Sequence, residues 1–414
     1  MTESGKFHLT RRHFAWTALG LGATAAAGLG ARTEWARDHK RRLYDAAVQP
    51  GVTGPNSLQA HAAAKSRLYG AAVVPELLDV VGVAKGHSTD AYTHLVAAQT
   101  GILVAENAMK WAALRPTADI FDFTQVDRLL RFASLLGKRV RGHNLCWYEA
   151  LPGWFYSKVN KDNARQILLE HIRMVAGYTR GQIHSWDVVN EAIEPAHGLP
   201  DGLRRSPWFE LIGPDYIELA FRTAAEADPQ AKLTYNDYGF ETGRPADTEK
   251  RVQILALLKR LKARGVPIHA VGIQSHLEAA GDQPGAGLQS FIRDVASMGL
   301  EVYVTEMDVS CKGLEGTPAE QEAVIAQFYR NYLDLVLAEP NVPIVLNWGV
   351  SNAGSWLKYS WLTDTWDRRD LWTRFQESRR QQPLLFDDNF NPSQAFWAMR
   401  AAFDAARPAT SINA

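Results

Sequence analysis

The chain has 414 residues, with 45 Lys and Arg against 45 Asp and Glu, and 46% of its residues are hydrophobic. This balance is typical of a globular protein and excludes a disordered chain, which would have fewer apolar residues and a larger net charge. A formal net charge of zero gives no electrostatic signature of nucleic-acid binding, so we expect no nucleic-acid partner.

The first 31 residues have the pattern of an export signal. Arg11 and Arg12 precede an apolar run from Phe14 to about Leu29 that is rich in Ala and Gly and holds no charge. This run is shorter than the ~20 residues that span a membrane, and small residues near its end offer cleavage sites. Because it resembles a twin-arginine signal, we expect residues 1–31 to be removed and the protein to be periplasmic or secreted, without a stable membrane anchor. The alternative is an arginine pair before a buried Ala-rich helix.

Eight short apolar segments, rich in β-branched residues, predict strands along the rest of the chain. They are residues 68–73, 102–105, 139–146, 183–189, 232–235, 268–274, 301–304 and 343–348. Each gap between them is long enough for a helix and its loops, and Val126, Leu129 and Ala133 keep the spacing of one helical face. Eight alternating repeats predict a (β/α)8 barrel, with a doubly wound open sheet as the alternative.

We expect one domain after the signal, because no linker rich in Pro, Ser or Gly interrupts the repeats. Residues 32–67, rich in Ala and charge, predict a helical segment that covers the base of the barrel. Residues 68–405 form the barrel domain and residues 406–414 a frayed tail. We expect a monomer.

Neither cofactor motifs nor metal-ligand spacings occur in the sequence. No G-x-G-x-x-G or Walker loop follows a predicted strand, so we expect no nucleotide cofactor. Cys146 and Cys311 lie in no C-x-x-C pair, which predicts no metal site and two unpaired thiols, a single disulfide bridge being the alternative.

Polar and aromatic residues collect where the predicted strands end. They are Glu106, Asn107, Lys110, His143, Trp147, Asn190, Glu191, Asn236, Asp237, Gln274, His276, Glu306, Asp308 and Trp348. In a barrel the carboxyl ends of the strands converge on one face, where such enzymes have their active sites. Single members have structural alternatives: His143 as a core histidine, Asp308 as a loop cap, Asn236 and Asp237 as turn residues.

Two carboxylates indicate the chemistry of this face. Glu191 ends the apolar run after the fourth strand, and Glu306 ends the run after the seventh. An ionised side chain is costly in such a place unless it is partnered. Hydrolysis of a glycosidic bond needs one protonated acid and one carboxylate, and retaining enzymes hold the two about 5–5.5 Å apart.

The matching motifs then identify a family, because the chain resembles the family-10 glycoside hydrolases, the endo-β-1,4-xylanases. The motifs are Ala-Glu-Asn-Ala-Met-Lys-Trp (105–111), Arg-Gly-His-Asn-Leu-Cys-Trp (141–147), Trp-Asp-Val-Val-Asn-Glu-Ala (186–192), Tyr-Asn-Asp-Tyr (235–238), Gly-Ile-Gln-Ser-His-Leu (272–277), Val-Thr-Glu-Met-Asp-Val (304–309), Asn-Trp-Gly-Val-Ser (347–351) and Leu-Leu-Phe-Asp (384–387). They occur in family order over residues 68–402.

The resemblance implies a role for each matching position. Glu191 would be the general acid/base and Glu306 the nucleophile that forms a covalent glycosyl-enzyme, with Asn190 on the sugar 2-hydroxyl. His276 would hydrogen-bond Glu306, and Asp308 would hold the imidazole. The remaining positions would bind substrate: Glu106, Asn107, Lys110, His143 and Gln274 on the non-reducing side, with Trp147, Trp348 and Trp356 as an aromatic cage and Asn236 nearby. Trp356 as a core residue is the alternative to its place in the cage.

The chain departs from the family pattern at a few positions near these motifs. Members usually read Arg-Gly-His-Thr-Leu-Val-Trp-His, where this chain has Asn144, Cys146 and Tyr148, and Asn352 stands where Asp is usual. Residues 391–395 differ from the usual Pro-Lys-Pro-Ala. These departures leave both carboxylates in place and bear on the choice of substrate.

The resulting hypothesis is a retaining endo-acting hydrolase of β-1,4-linked xylan that needs no cofactor and has a polysaccharide as its partner. One alternative is a hydrolase of another β-1,4-glycan or of aryl β-glycosides at the same site. The other is a carbohydrate-binding protein without catalytic activity.

Overall fold

A computed structural model describes residues 43–359 and 371–410, so the predicted signal lies outside the described residues. The strands are β1 (Leu68–Val73), β2 (Ile102–Ala105), β3 (Arg139–Cys146), β4 (Ser185–Asn190), β5 (Lys232–Asp237), β6 (Ala270–Ile273), β7 (His276–Glu278), β8 (Glu301–Ser310) and β9 (Ile344–Asn347). All pairings between these strands are parallel, and the sheet closes because β9 pairs with β1 while β6 pairs with β8. The (β/α)8 barrel is therefore confirmed, and the open sheet is wrong.

Strands β5 and β8 end two and six residues later than the sequence predicts, β4 ends one residue later, and β7 is an addition to the eight. Asn236 and Asp237 continue the ladder of β5, opposite Gly272 and Ile273 of β6, so their interpretation as turn residues is wrong. Likewise β8 continues to Ser310 and pairs there with the short strand β7. Polar side chains remain in these strands because they find partners inside the mouth of the barrel.

Helices cover the outside of the barrel. The α-helices of the described residues are α1 (Tyr44–Ala47), α2 (Leu58–Ala63), α3 (Val80–Ala84), α4 (Ala91–Gln99), α5 (Trp111–Leu114), α6 (Thr124–Leu135), α7 (Gly153–Lys158), α8 (Ala164–Tyr178), α9 (Pro207–Ile212), α10 (Tyr216–Ala227), α11 (Pro245–Ala263), α12 (Ala286–Ser297), α13 (Pro318–Leu337), α14 (Leu371–Arg379) and α15 (Gln394–Ala405). Short 3-10 helices are Gly54–Asn56, Pro75–Leu77, Pro195–His197, Pro200–Gly202, Asn352–Gly354 and Trp356–Tyr359.

The apolar face of α6 shows why the outer helices form. Val126, Leu129 and Ala133 are buried, as their spacing predicts, because the 3.6-residue period places them on the side that faces the sheet. Gly137 follows this helix at a φ of 63°, a left-handed conformation that favours glycine and ends the helix before β3.

The described part of the segment before β1, residues 43–67, holds two short α-helices and not one long helix. A Gly-Pro pair at residues 54–55 separates α1 from α2, because proline begins a new helical turn. Gln59 of α2 accepts a hydrogen bond from the backbone of Tyr69 at 2.9 Å, which places α2 at the amino end of β1.

The chain after α15 is tied to the barrel as far as residue 410. Ala409 donates to the carbonyl of Lys65 at 2.9 Å, and Thr410 donates to that of Pro340 at 3.0 Å. The buried guanidinium of Arg67 donates to the carbonyl of Arg407. The predicted fraying is therefore wrong for residues 406–410, because a buried arginine needs carbonyl acceptors and this segment supplies one.

Both cysteines are buried and unbridged, so the expected free thiols are confirmed and the single disulfide is wrong. Burial raises the pKa of both thiols, most strongly that of Cys146. Within residues 43–359 and 371–410, no helix has both the length and the apolar character needed to cross a membrane.

Candidate active site

The two glutamates lie at the carboxyl end of the barrel. Glu191 directly follows β4, and Glu306 lies in β8. Only 6% of Glu191 and 4% of Glu306 is exposed to solvent. The backbone N–H of Glu191 donates to the carbonyl of Asn236 at 2.8 Å, which fixes Glu191 to the end of β5.

Two amide side chains connect these carboxyl groups. Asn190 Nδ2 donates to Glu191 Oε1 at 2.9 Å, while Asn190 Oδ1 accepts from Asn236 Nδ2 at 2.8 Å. The same Asn236 nitrogen donates to Glu306 Oε1 at 2.7 Å. Glu191 and Glu306 therefore belong to one hydrogen-bonded network across the mouth of the barrel.

The surroundings of Glu191 favour the protonated acid. Burial raises its pKa above the ordinary value of 4.5, and the negative charge of Asp237 adds to this effect. Gln274 Nε2 donates to Glu191 Oε1 at 2.8 Å and opposes the shift. Gln274, which the resemblance assigns to sugar binding, thus also contacts the expected acid/base.

The surroundings of Glu306 favour the carboxylate. Burial by itself would raise its pKa, but the charges of His143 and His276 and the hydrogen bonds from His276 and Asn236 outweigh burial and lower the pKa to about 2. His276 Nε2 lies 3.3 Å from Glu306 Oε2, and His143 Nδ1 lies 3.9 Å from Oε1. The pKa values of the two glutamates are therefore pushed apart, as a retaining hydrolase requires.

His276 is held by a carboxylate on its other nitrogen. Asp308 Oδ1 lies 3.0 Å from His276 Nδ1, and Asp308 Oδ2 accepts a hydrogen bond from Trp356 Nε1 at 2.7 Å. Burial would lower the pKa of His276, but Asp308 and Glu306 raise it well above 6.5. The alternative interpretation of Asp308 as a loop cap is wrong, because Asp308 lies in β8 and its side chain contacts the site.

Lys110 lies among other residues that are expected to bind sugar. Lys110 Nζ lies 5.2 Å from the ring centre of Trp147 and 5.7 Å from that of Trp348. Lys110 also donates to Asn107 Oδ1 at 3.1 Å, and the buried Glu106 supplies a nearby negative charge. This arrangement offers a cation, polar groups and aromatic faces to a sugar chain.

Trp356 is half-buried and lies against His276, as Trp348 does. Its ring lies 5.3 Å from that of His276, edge-on, and the ring of Trp348 meets that of His143 at 5.2 Å. We call Trp147, Trp348 and Trp356 the aromatic wall.

Several charged residues that position the site are absent from the sequence-based expectations. Asp187 Oδ2 lies 3.0 Å from His143 Nδ1, and Arg141 forms a buried ion pair with the same carboxylate. His143 is thus a satisfied buried histidine that also faces Glu306. Arg141 is two residues before His143 in β3, and Asp187 pairs with His143 from β4. A charge at such an alternate strand position is the signal that could have found Arg141 and Asp187.

A second unpredicted carboxylate, Glu241, contacts the backbone of the residue before His276. The buried Glu241 accepts from the backbone of Ser275 at 3.0 Å and from that of Phe240 at 2.7 Å. Ser275 has a φ of 63°, so Glu241 holds a left-handed turn between β6 and β7.

The departures from the family pattern have different structural roles. Asn352 is buried and accepts from the backbone of Leu384 at 2.8 Å, so it supports the fold and does not line the aromatic wall. Asn144 Nδ2 lies 3.3 Å from His143 Nε2, and Cys146 packs in the core. Tyr148 is half-buried beside Arg204.

This arrangement, in which the pKa of one carboxyl is raised and that of the other is lowered, is suited to retaining glycoside hydrolysis. In the part of the chain that the structure describes, no three His, Cys, Asp or Glu residues come together as a metal site. Comparison with known proteins agrees with the geometry, because the model of the family described as "Glycosyl hydrolase family 10" matches residues 57–402. The chain belongs to glycosyl hydrolase family 10. The resemblance found in the sequence is thereby confirmed.

Curated relatives within family 10 include proteins of different lengths. A β-1,4-xylanase of Dictyoglomus thermophilum is 36% identical over 339 residues, which cover 78% of this chain and 90% of that protein. Exoglucanase XynX of Acetivibrio thermocellus is 33% identical over 374 residues, which cover 84% of this chain but only 31% of that protein.

A solved family-10 structure has the same fold. Xylanase 10B of Thermotoga petrophila, in complex with xylobiose, superimposes with a TM-score of 0.71 at 29% identity, covering 84% of this chain and 97% of that chain.

Proposed function

We propose that the protein is a retaining endo-1,4-β-xylanase in which Glu306 is the nucleophile and Glu191 the acid/base. The observation that carries this proposal is that two buried glutamates in one hydrogen-bonded network have pKa values shifted in opposite directions. Membership of family 10 and the xylanases among its relatives support xylan as the substrate.

In the first step, a carboxylate oxygen of Glu306 attacks the anomeric carbon of the sugar. The glycosidic C–O bond breaks, and its oxygen takes the proton of Glu191, so the shortened chain leaves as a neutral alcohol. Glu306 is now an ester of the sugar. His276 and Asn236 contact Glu306, and their hydrogen bonds hold its oxygens in place for the attack.

In the second step, Glu191 acts as a base. It takes a proton from a water molecule whose oxygen attacks the anomeric carbon from the side that the leaving group vacated. The ester bond to Glu306 breaks, and Glu191 carries a proton again. Two inversions leave the β-configuration unchanged.

The aromatic wall and Lys110 support the choice of a sugar chain as substrate. Flat indole faces match the apolar faces of pyranose rings, whereas Lys110 and Asn107 offer polar contacts to hydroxyl groups. The relative that is named an exoglucanase makes β-1,4-glucan the second candidate substrate.

Product analysis on three polysaccharides tests this proposal. We expect xylan to be cut internally into short oligosaccharides, faster than mixed-linkage glucan or cellulose, and NMR to show the β-anomer first. Faster cutting of glucan would replace xylan by the second candidate. A first-formed α-anomer, or binding of xylan without any turnover, would contradict the proposal.

We also propose that residues 1–31 direct export through a twin-arginine pathway and that the exported protein is a monomer. The arginine pair and the uncharged apolar run support export. The full chain should reach the periplasm or medium, whereas a chain with Arg11→Lys and Arg12→Lys should stay in the cytoplasm. Equal export of both chains would contradict the signal, and light scattering that gives twice the mass of one chain would contradict the monomer.

A further inference from the structure

Arg204 is a buried cation next to the expected acid/base, and the roles given above do not use it. Its side-chain Nε donates to the backbone carbonyl of Glu191 at 2.6 Å, and its backbone N–H donates to the carbonyl of Ala192 at 2.7 Å. Its Nη2 donates to the hydroxyl of Tyr238 at 3.2 Å and to Glu194 at 3.3 Å. Only 6% of Arg204 is exposed, so the guanidinium occupies a built site.

The backbone of Glu191 needs such support. Its φ is 58°, in the left-handed region that favours glycine over residues with a side chain. The N–H of Glu191 is bound to Asn236 and its carbonyl to Arg204, so β5 and Arg204 together fix the direction of its side chain.

Tyr148 forms the surface on which Arg204 lies. The guanidinium carbon is 4.4 Å from the ring centre of Tyr148 and 5.8 Å from that of Tyr238. Burial raises the pKa of the Tyr148 phenol, and the charge of Glu191 adds to the shift, so the ring is neutral. An aromatic face attracts a guanidinium, whereas a protonated histidine at this position would repel it.

We propose that Arg204 is a positioning residue for Glu191, and that Tyr148 provides the neutral aromatic face that holds Arg204 in place. The inference rests on the proposed function, because it concerns how the acid/base delivers its proton to the leaving oxygen. Arg204 does not touch the substrate in this account; it acts through the backbone and the charge environment of Glu191.

The charge of Arg204 predicts the direction in which the pKa of Glu191 moves when Arg204 is replaced. The charged or titratable groups that interact with Glu191 include Asp237, Arg204, Lys110, Tyr148 and Tyr238. Arg204 favours the ionised form of Glu191, so its removal should raise the pKa of the acid/base. The alkaline limb of the pH–rate profile then moves to higher pH, while misplacement of the carboxyl slows proton donation.

The experiment compares two substrates that differ in their need for an acid. Xylotetraose has a poor leaving group, a sugar alcohol that must be protonated as it departs. The leaving group of 2,4-dinitrophenyl β-xylobioside is dinitrophenolate, which departs with little protonation. We expect Arg204→Met to lower kcat/KM for xylotetraose at least tenfold more than for the aryl glycoside, and to move the alkaline limb upward. Arg204→Lys keeps the positive charge but lacks the planar guanidinium. It should therefore still lose more kcat/KM on xylotetraose than on the aryl glycoside, with a smaller shift of the alkaline limb.

A second pair of variants tests the aromatic face. Tyr148→Leu should reproduce the selective loss, and Tyr148→Phe should keep the wild-type ratio of the two rates. This pair decides the matter if Arg204→Met does not fold, as judged by circular dichroism. Equal losses on both substrates with an unmoved alkaline limb would overturn the inference. Wild-type protein that turns over neither substrate would contradict the proposed function instead.

Discussion

At the scale of single residues, the central feature is that the pKa values of two buried glutamates shift in opposite directions. Burial alone would raise the pKa of both of them, because a carboxylate loses its hydration in the interior. Glu191 follows this rule, with Asp237 adding to the shift. Glu306 departs from it, because His143 and His276 supply positive charge on two sides.

This difference predicts the effect of replacing His276. Hydrolysis needs ionised Glu306, so activity falls as the pH drops through the pKa of Glu306, which is about 2 in the wild type. His276→Asn removes a charge and a hydrogen bond that lower this pKa, so the acid limb of kcat/KM should move to higher pH. The alkaline limb, which reports Glu191, is the internal control.

The exposed residue His87 offers a matched control, because His87→Asn should leave both limbs in place. An acid limb that is the same in His276→Asn and in the wild type would show that His276 does not set the charge of Glu306.

The sequence predicts the chemically active residues better than those that position them. Glu191, Glu306 and His276 stand at the ends of apolar runs, where a polar residue is conspicuous. Asp187 acts through His143, which is 44 residues away in the chain. Arg204 contacts Glu191, which is 13 residues away. Their roles depend on side-chain direction in the folded barrel, which no local pattern contains.

At the scale of elements, close approach between neighbouring strands places the amides of the site. Gly272 of β6 lies against Asn236 of β5, and a Cβ at Gly272 would overlap Asn236 Oδ1. Asn236 accepts from Thr305 Oγ1 at 2.7 Å and donates to Glu306. Because Gly272 has no side chain, Asn236 can contact both Thr305 and Glu306 of β8.

We therefore expect Gly272→Ala to reduce both stability and activity. Overpacking should lower the free energy of unfolding by about 1–3 kcal/mol. Displacement of Asn236 from Glu306 should lower kcat/KM on the order of tenfold, the effect of one lost hydrogen bond to a charged group. Urea denaturation and steady-state kinetics measure the two effects.

Gly177→Ala in α8 is the matched control, because nothing lies within 4 Å of the added carbon. It should stabilise the protein by about 0.5–1 kcal/mol, since alanine loses less entropy in a helix than glycine does. Gly272→Ala with wild-type stability and rate would contradict the proposed packing.

Strand positions follow from the sequence, whereas strand ends do not. The apolar cores of the strands alternate with helices in a pattern that needs no tertiary information. Asn236 and Asp237 have turn propensity and yet lie in β5, because the interior of the barrel supplies partners for their side chains. Tertiary contacts override local preference at these ends.

At the scale of the whole molecule, burial of neutral histidines makes stability depend on pH. His171 is fully buried and stacks on Trp111 with ring centres 3.6 Å apart, and neither of its ring nitrogens has a hydrogen-bond partner among the described residues. Burial, together with the charge of Arg115, lowers the pKa of His171 well below 6.5. Burial and nearby cations likewise lower the pKa of His184 to about 3.

The lowered pKa of His171 determines how stability changes with pH. Below pH 6.5 the unfolded chain binds a proton at position 171 that the folded protein does not, so stability is full above pH 6.5 and falls as the pH decreases. We expect His171→Phe to reduce this dependence by up to about 1.4 kcal/mol per pH unit below 6.5. Urea denaturation of both proteins between pH 5 and 8 measures it, and parallel curves would contradict the assignment.

The tie between the two ends of the described chain is a further feature that the sequence does not predict. Arg67 reaches the carbonyl of Arg407 across 340 positions, and neither residue stands out in its local pattern. Barrel closure follows from eight repeats, but such single long-range contacts depend on the finished fold.

The most direct test of the account is to trap the covalent intermediate on its nucleophile. A 2,4-dinitrophenyl 2-deoxy-2-fluoro-β-xylobioside slows both chemical steps, while its leaving group speeds the first, so the glycosyl-enzyme accumulates. Mass spectrometry of proteolytic peptides should find a single adduct, on Glu306. An adduct on Glu191 or elsewhere, or steady turnover of this reagent with no adduct, would contradict the assignment of nucleophile and acid/base.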